Sequence, residues 1–272
     1  MIYYKTESEI EKIRQSNLLV SKTLAEVCKH VEPGVTTATL DKIAEEYIRD
    51  NGGEPAFLGY RGFPKSLCTS INSVVVHGIP SDEVLMDGDI VSVDCGVLMN
   101  GFYGDTAFTF PVGEVKKEIM DLLLSTRESL YLAIEKIVPG NRIGDISYII
   151  QSHNESRNYS VVRELVGHGI GKNLHEEPEV PNYGRRGNGP KLKKGLVICI
   201  EPMINLGTKN VRQENDGWTI RTRDNQPSAH YELAVAVDDE GADVLSSFEY
   251  IENVLREKNP GSELIKKGRQ NG

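Results

Sequence analysis

The sequence repeats a short set of landmarks at a nearly constant interval, and this repeat constrains the fold more than any other feature. Val31–Gly34 (VEPG) returns 106 positions later as Ile137–Gly140 (IVPG). Asp94 and Glu201 lie 107 positions apart, and each follows a glycine by six residues. Pro-Gly helix stops are common by chance, but the shared interval favours a duplicated chain. We therefore expect two matching halves with pseudo-two-fold symmetry and a site between them.

Periodicity in each half predicts helices first and strands afterwards. Thr6, followed three residues later by Glu9, forms a capping-box pattern that starts the first helix, and Pro33-Gly34 ends it. Asn100-Gly101 is a strong hairpin signal between two strand patterns. The predicted helices cover about 7–32, 37–50, 115–137 and 143–155, and the predicted strands cover Ser70–Val76, Asp89–Val97, Tyr103–Phe110 and about 160–167, 196–204 and 230–237.

This order of elements predicts an α+β fold in one catalytic domain over residues 1–250, with halves of about 7–112 and 113–250. Residues 251–272 form a polar tail with a basic cluster at Lys266, Lys267 and Arg269. We expect this tail to be disordered, and a contact with ribosomal RNA is the alternative role.

The composition excludes several classes of protein. The formal net charge is −9, which argues against DNA binding and against a broad nucleic-acid face. The N-terminal residues lack the apolar segment of a secretory signal, and no stretch approaches the roughly 18 apolar residues of a membrane span. We expect a cytoplasmic monomer. The cysteines, which form no CxxC pair and should be free thiols, are Cys28, Cys68, Cys95 and Cys199.

Asp94 and Asp105 lie on the two arms of the predicted hairpin. A two-residue turn at Asn100-Gly101 pairs Asp94 with Ala107. Asp105 then points to the same side as Asp94 and lies diagonal to it, about 7–8 Å away at most. Two carboxylates this close in a core are costly unless they share a cation, so the hairpin predicts part of a metal site. A slip of one residue in the register would remove the argument.

Two glutamates extend this set in the second half. Glu201 and Glu232 each adjoin a strand pattern typical of a buried strand. Four carboxylates that converge on an interior require compensation, and two divalent ions supply a matching positive charge. Nucleophilic serine chemistry has little support, because no G-x-S-x-G elbow occurs. The candidate functional histidines are His77, His168 and His175, whereas His30, His153 and His230 are expected to be structural.

Taken together, these motifs resemble the type I methionine aminopeptidases, which have the pita-bread fold. The resemblance covers residues 3–250. Glu201 follows His175 by only 26 positions, which leaves no room for the insertion of type II enzymes, so the short bacterial form is expected. The motifs that carry it are Ser70-Ile71-Asn72, His77-Gly78-Ile79-Pro80, Asp94 with Gly104-Asp105-Thr106, Gly167-His168-Gly169-Ile170-Gly171, His175-Glu176-Glu177-Pro178, Glu201-Pro202-Met203 and Tyr231-Glu232.

The resemblance implies a two-metal hydrolase that removes the initiator methionine from nascent proteins whose second residue is small. Asp94 would hold one ion, and Asp105 and Glu232 would bridge both. His168 and Glu201 would complete the second ion, and Glu201 would also carry a proton. The ions would be Co, Mn, Fe or Zn, and the sequence does not choose among them. A transient contact with the ribosome is a further implication.

The same resemblance assigns roles around the metals. His175 would hydrogen-bond the substrate carbonyl oxygen, and His77 would contact the nitrogen side of the scissile bond. Phe57 stands where some relatives have a small Cys, and Leu174 stands where many have an aromatic residue, so the pocket rim would be reshaped without a change in the preference for methionine. The methionine pocket would comprise Phe57, Tyr60, Phe63, Cys68, His77, Leu174, His175 and Trp218, and a Na or K site would involve Asn72, Val74 and Ser228.

Two alternatives stay open at this level. An Xaa-Pro aminopeptidase of the same fold could share all five metal ligands, although the His77-Gly78-Ile79-Pro80 segment argues against it. A binding protein that kept the fold and lost catalysis would be marked by a missing ligand, and none is missing here.

Overall fold

Two helices open the chain, and their first residues explain where they start. In this computed structural model, which describes residues 1–261 and 263–265, α1 (Glu7–His30) begins after Thr6. The Thr6 hydroxyl accepts from the Glu9 N–H, and the Glu9 carboxylate accepts from the Thr6 N–H, so the predicted capping box is confirmed. Thr36 caps α2 (Thr37–Asp50) through the N–H of Thr39.

The second half repeats the helix pair, and strands follow each pair. The remaining helices are α3 (Lys117–Ile134), α4 (Ile143–Glu155) and α5 (Glu249–Lys258), with 3₁₀ turns at Tyr60–Gly62 and Glu263–Ile265. The strands are β1 (Glu54–Pro55), β2 (Leu67–Ile71), β3 (Val74–Val76), β4 (Ile90–Met99), β5 (Phe102–Pro111), β6 (Ser160–Val161), β7 (Gly167–Gly169), β8 (Glu176–Val180), β9 (Val197–Ile200), β10 (Met203–Asn205), β11 (Val211–Gln213), β12 (Ile220–Thr222), β13 (Ser228–His230), β14 (Leu233–Val237) and β15 (Ala242–Val244).

The strands pair antiparallel in several sheets, and the α+β class predicted from the sequence is confirmed. In the first half, β4 pairs with β5, β1 and β2. In the second half, the order is β15-β14-β9-β7-β8, and smaller sheets are formed by β13-β10-β6 and β11-β12-β3. Most of the buried apolar residues belong to one cluster that joins the helices to these sheets. Among the described residues, no helix has the length and apolar character required to cross a membrane.

Matching glycines show that the sequence repeat is also a repeat of backbone geometry. Gly34 and Gly140, which end the two VEPG-like segments, both have φ of 95°. Gly88 and Gly195, six residues before Asp94 and Glu201, have φ of 90° and 84°. Glycine is the residue that tolerates this left-handed region, so the same turn precedes the site in both halves.

The predicted strand Ser70–Val76 is wrong as a single element. Asn72 has φ of 51°, which ends β2 at Ile71 and separates it from β3. The side-chain Nδ2 of Asn72 donates to the Asp89 carboxylate, and its side-chain Oδ1 accepts from the Ile90 N–H. Asparagine adopts this conformation more readily than most residues, and its side chain here replaces ladder hydrogen bonds.

The prediction of a disordered tail is wrong for residues 251–258, which belong to α5, and for the 3₁₀ turn Glu263–Ile265, whose Leu264 is fully buried. Ile251 is fully buried, and the Lys258 ammonium donates to the carbonyls of Cys28, Lys29 and Val31 at 3.0–3.1 Å. Cys28 and Lys29 belong to the last turn of α1 and Val31 is its C-cap, so these carbonyls lack partners within the helix. The segment is therefore attached to the domain. Lys266, Lys267 and Arg269 lie outside the described residues.

Candidate metal centre

The hairpin formed by β4 and β5 holds Asp94 and Asp105 in the predicted register. Asp94 pairs with Ala107, and Asn100 and Gly101 both have positive φ, as a two-residue hairpin turn requires. Asp105 pairs with Gly96, so it is diagonal to Asp94 on the same face. Oxygens of Asp94, Asp105 and Glu232 lie within 4.8 Å of one another.

Glu201 and Glu232 come from the second half and meet this hairpin. Glu201 follows β9, and Glu232 precedes β14, whose Leu233 pairs with Ile200. The next ladder, β10 with β13, keeps the same register, so the two glutamates lie across from each other. The N–H of Glu232 donates to the carbonyl of Ala107 at 2.9 Å, which ties the second half to the first at the site.

His168 presents an unprotonated nitrogen to these carboxylates. Its Nδ1 lies 2.9 Å from the carbonyl of Gly169, which can only accept, so Nδ1 carries the proton. Its Nε2 lies 3.9 Å from both Asp105 Oδ2 and Glu201 Oε1. Burial lowers the pKa of His168 to about 4, so the ring is neutral and leaves the charge of these carboxylates uncompensated.

The four carboxylates crowd one another in a largely buried space. Burial is the first cause that raises the pKa of each, and the charges of neighbouring carboxylates add to it for Asp105, Glu201 and Glu232. Asp94 Oδ1, Asp105 Oδ1 and Glu232 Oε1 are buried without a hydrogen-bond partner. Among the basic side chains of residues 1–261 and 263–265, only histidines place a nitrogen within 4.0 Å of these carboxylates.

This arrangement fits divalent metal ions. Orphaned buried carboxylate oxygens carry a high desolvation cost, which cations offset. Oxygen ligands with one imidazole suit several divalent transition metals. The residues present are therefore compatible with a metal-bound state, and a second group, formed by His168, Cys199 and Glu232, also has ligand atoms within 4.8 Å of one another.

A cavity of about 290 Å³ opens beside these carboxylates. Cys68 pairs with Asp94 across β2 and β4, and both residues line the cavity. The structure brings together all eight residues that the sequence assigned to a pocket, namely Phe57, Tyr60, Phe63, Cys68, His77, Leu174, His175 and Trp218. Sequence reasoning missed Arg61, Val76, Glu164, Leu165, Val166 and Met203, which also line it and which carry no chemical pattern of their own.

His175 lies between Tyr60 and His168. The Tyr60 hydroxyl is 2.9 Å from Nδ1 of His175, and the two rings stack with centroids 5.4 Å apart. The rings of His175 and His168 are 4.3 Å apart. Burial, followed by the nearby His168, lowers the pKa of His175 to about 3, so this imidazole is neutral at physiological pH.

Two glycines hold neighbouring cavity residues in place. Gly78 follows His77, and a Cβ on Gly78 would lie 2.1 Å from the carbonyl oxygen of Thr69. Only glycine allows that approach, which fixes the backbone beside His77. A Cβ on Gly96 would lie 2.5 Å from the Phe57 ring, so Phe57 fills space that Gly96 leaves open.

Of the three residues proposed for a monovalent cation site, Asn72 and Ser228 are in direct contact. The Ser228 N–H donates to the Asn72 carbonyl at 2.9 Å, and Val74 pairs with Arg221 of β12. No further observation bears on a cation there, so this site stays a prediction.

Comparisons with known proteins agree with this geometry. Residues 11–238 match metallopeptidase family M24. The chain is 51% identical over 247 residues to a methionine aminopeptidase of Clostridium acetobutylicum, covering 90% of this chain and 99% of the relative. It superposes on the crystal structure of methionine aminopeptidase from Rickettsia prowazekii with a TM-score of 0.90 and 43% identity, covering 91% of this chain and all of that one. Prolidase from Pyrococcus furiosus, at 24% identity and a TM-score of 0.74, shares the fold.

Fold and site together define a metallopeptidase with the pita-bread architecture. The chain belongs to metallopeptidase family M24, in the branch that holds the methionine aminopeptidases. Membership of this family implies the use of a divalent metal.

Proposed function

We propose that this chain removes the N-terminal methionine from new polypeptides whose second residue is small, with two divalent ions held by Asp94, Asp105, His168, Glu201 and Glu232. One observation carries the metal chemistry: three orphaned carboxylate oxygens and an unprotonated imidazole nitrogen converge beside a cavity. Relatives named methionine aminopeptidase, at 45–51% identity over about 90% of the chain, support the substrate.

The ligands divide according to their position. Asp94 would hold one ion, and His168 with Glu201 would hold the other. Asp105 and Glu232 each come close to both Asp94 and His168, and would help to hold both ions. When bound, divalent ions supply Lewis acidity, which activates water and polarises a carbonyl.

Glu201 is placed to move a proton. It lines the cavity and retains 13% exposure of its side chain, so substrate and water can reach it. A carboxylate at this position can accept and release a proton within hydrogen-bond reach of the substrate. We assign it the transfer of a proton from the attacking water to the leaving amine.

His175 and His77 would bind the scissile peptide. If Tyr60 donates to Nδ1 of His175, the N–H is at Nε2 and can donate to the substrate carbonyl, whose oxygen gains charge in the transition state. His77 also lines the cavity, and we assign it to the amide nitrogen of the scissile bond. Neither histidine is proposed as a metal ligand.

The methionine side chain would occupy the apolar part of the cavity. Phe63 and Trp218 meet edge to face with centroids 5.2 Å apart, and Cys68 and Leu174 are buried beside them. Aromatic and sulfur groups suit a thioether, which is polarizable and unbranched.

A peptide-cleavage screen tests the proposal. Metal-free protein, reloaded with Mn²⁺, Fe²⁺, Co²⁺ or Zn²⁺ under reducing conditions, is given Met-Ala-Ser and Ala-Pro peptides, with Asp105→Ala as the control. We expect release of methionine only from the first peptide and no release by the control. Cleavage of the Ala-Pro peptide instead would identify an Xaa-Pro peptidase, and the prolidase likeness is too distant to favour that outcome beforehand. The absence of any hydrolysis would indicate a binding protein. The proposal also includes a cytoplasmic monomer that contacts the ribosome transiently, with Co, Mn, Fe or Zn as the metal.

A further inference from the structure

Two buried side chains that this mechanism leaves unused lie against the two glutamates of the second half. We infer that Cys199 and His230 are positioning residues, each of which orients the metal-facing glutamate that the neighbouring strand contributes. His230 supports Glu201, and Cys199 supports Glu232. The inference rests on the proposed metal site, and the experiment below separates the two.

His230 is buried, with 1% of its surface exposed, and its Nε2 has no hydrogen-bond partner. That nitrogen lies 3.7 Å from Glu201 Oε2, and no other carboxylate among the described residues comes within 4.0 Å. The other oxygen of Glu201 faces Nε2 of His168 at 3.9 Å. Glu201 therefore has one oxygen toward the proposed ligand His168 and one toward an imidazole that takes no part in that set.

Hydrogen bonds to the backbone fix His230 in this place. The Thr109 hydroxyl donates to the His230 carbonyl at 2.7 Å and accepts from its N–H at 2.9 Å. Thr109 belongs to β5, the strand that also carries Asp105. The backbone of His230 is thus anchored to the opposite half of the molecule, which fixes the position from which its ring approaches Glu201.

Cys199 has the corresponding relationship to Glu232. It is fully buried, and its sulfur lies within 4.8 Å of a nitrogen of His168 and an oxygen of Glu232. In the β9–β14 ladder it pairs with Ala234, so it is diagonal to Glu232 on the same face. The small side chain of Ala234 leaves the thiol free to meet the carboxylate, to which an S–H can donate weakly.

The two contacts cross between the strands. Cys199 stands two residues before Glu201 but contacts Glu232, and His230 stands two residues before Glu232 but contacts Glu201. Each strand segment therefore supplies one proposed ligand and the support for the ligand opposite. Loss of one support should loosen the ligand on the other segment.

Four variants test this. His230→Leu and Cys199→Ala remove the donors, whereas His230→Gln and Cys199→Ser keep one. Co²⁺ affinity is measured by calorimetry on metal-free protein, together with the visible absorption spectrum of the Co²⁺-loaded form. We expect about 10–100-fold weaker binding and an altered spectrum for the Leu and Ala variants, and recovery to within about threefold for the Gln and Ser variants. Wild-type affinity and spectrum in both truncated variants would overturn the inference.

Two controls exclude a general effect on folding. Cys95→Ala also removes a buried thiol one residue from Asp94, but Cys95 belongs to the core on the other face of β4, so Co²⁺ affinity should not change. In a Glu201→Gln background, His230→Leu should cause no further loss, and a full additive loss would contradict the inference. If His230→Leu does not fold, His230→Asn, whose amide is too short to reach Glu201, replaces it.

The measurements distinguish a failure of the proposed function from a failure of this inference. Wild-type protein that binds Co²⁺ without cleaving Met-Ala-Ser refutes the function and leaves the support of the ligands measurable. Wild-type protein that binds no Co²⁺ refutes both.

Discussion

The backbone N–H of Glu232 donates a 2.9 Å hydrogen bond to the carbonyl of Ala107, the residue that pairs with Asp94. This bond joins the strands of the two halves at the point where their carboxylates meet. The carboxylates are therefore held together by the backbone frame, although their charges repel. The stability of the metal-free protein should reflect that conflict.

Asp105→Asn should stabilise the metal-free protein and destroy metal binding. Burial and the charges of Glu232 and Asp94 disfavour the ionised form of Asp105, and an amide at this place could donate to Asp94. We expect a gain on the order of 1 kcal/mol, or a Tm higher by about 2–4 °C for a chain of this length. Thermal unfolding in chelator and in Co²⁺ measures both effects. A lower Tm in chelator would show that the carboxylates are not in conflict.

Tyr60→Phe should lower kcat for Met-Ala-Ser about tenfold and leave KM within about threefold. The variant removes the hydroxyl that contacts Nδ1 of His175, so the imidazole loses its preferred tautomer while the ring stack remains. Steady-state kinetics measure this, with Tyr250→Phe on α5, outside the cavity, as the matched control. An unchanged kcat would remove Tyr60 from the mechanism.

Gly96→Ala should raise KM and cost about 1–3 kcal/mol of folding free energy, because its Cβ would lie 2.5 Å from the Phe57 ring. Phe57→Leu in the same chain should recover most of the loss, since it removes the atoms in conflict. The free energy of unfolding in urea and the KM are measured for Gly96→Ala, for Phe57→Leu and for the double variant, which together form a double-mutant cycle. Simple additivity would contradict the contact.

Lys258→Met should destabilise the domain by about 1 kcal/mol and leave kcat/KM unchanged, because Lys258 caps the end of α1 far from the cavity. Lys42→Met, on the exposed face of α2, is the matched control and should cost little. Equal unfolding free energies for the two variants would show that the cap contributes nothing.

The sequence predicts the first half of the site better than the second, for a physical reason. Asp94 and Asp105 are joined by a two-residue turn, so the period of two along each strand determines their side and separation. Glu201 and Glu232 are separated by 30 residues that include β10 to β13, and no local rule sets their register. His168 was identified through family resemblance, since three residues of β7 give no periodic signal.

Other features depend on contacts between distant residues and left little trace in the sequence. Phe57 and Gly96 are complementary only once β1 lies beside β4. The sequence of α5 has the pattern of a polar tail because Ile251 is its one buried residue. Its attachment to the domain depends on hydrogen bonds from Lys258 to carbonyls at the end of α1. His230 was expected to be structural, and its unpartnered nitrogen became visible only beside Glu201.

The most direct test of the account is a titration of metal-free protein with Co²⁺, in which bound metal and methionine release from Met-Ala-Ser are measured in the same samples. The account predicts no release in chelator, up to two ions bound per chain, and release that rises with bound Co²⁺ and is absent in Asp105→Ala. Release that persists in chelator, or full Co²⁺ binding by Asp105→Ala, would contradict it.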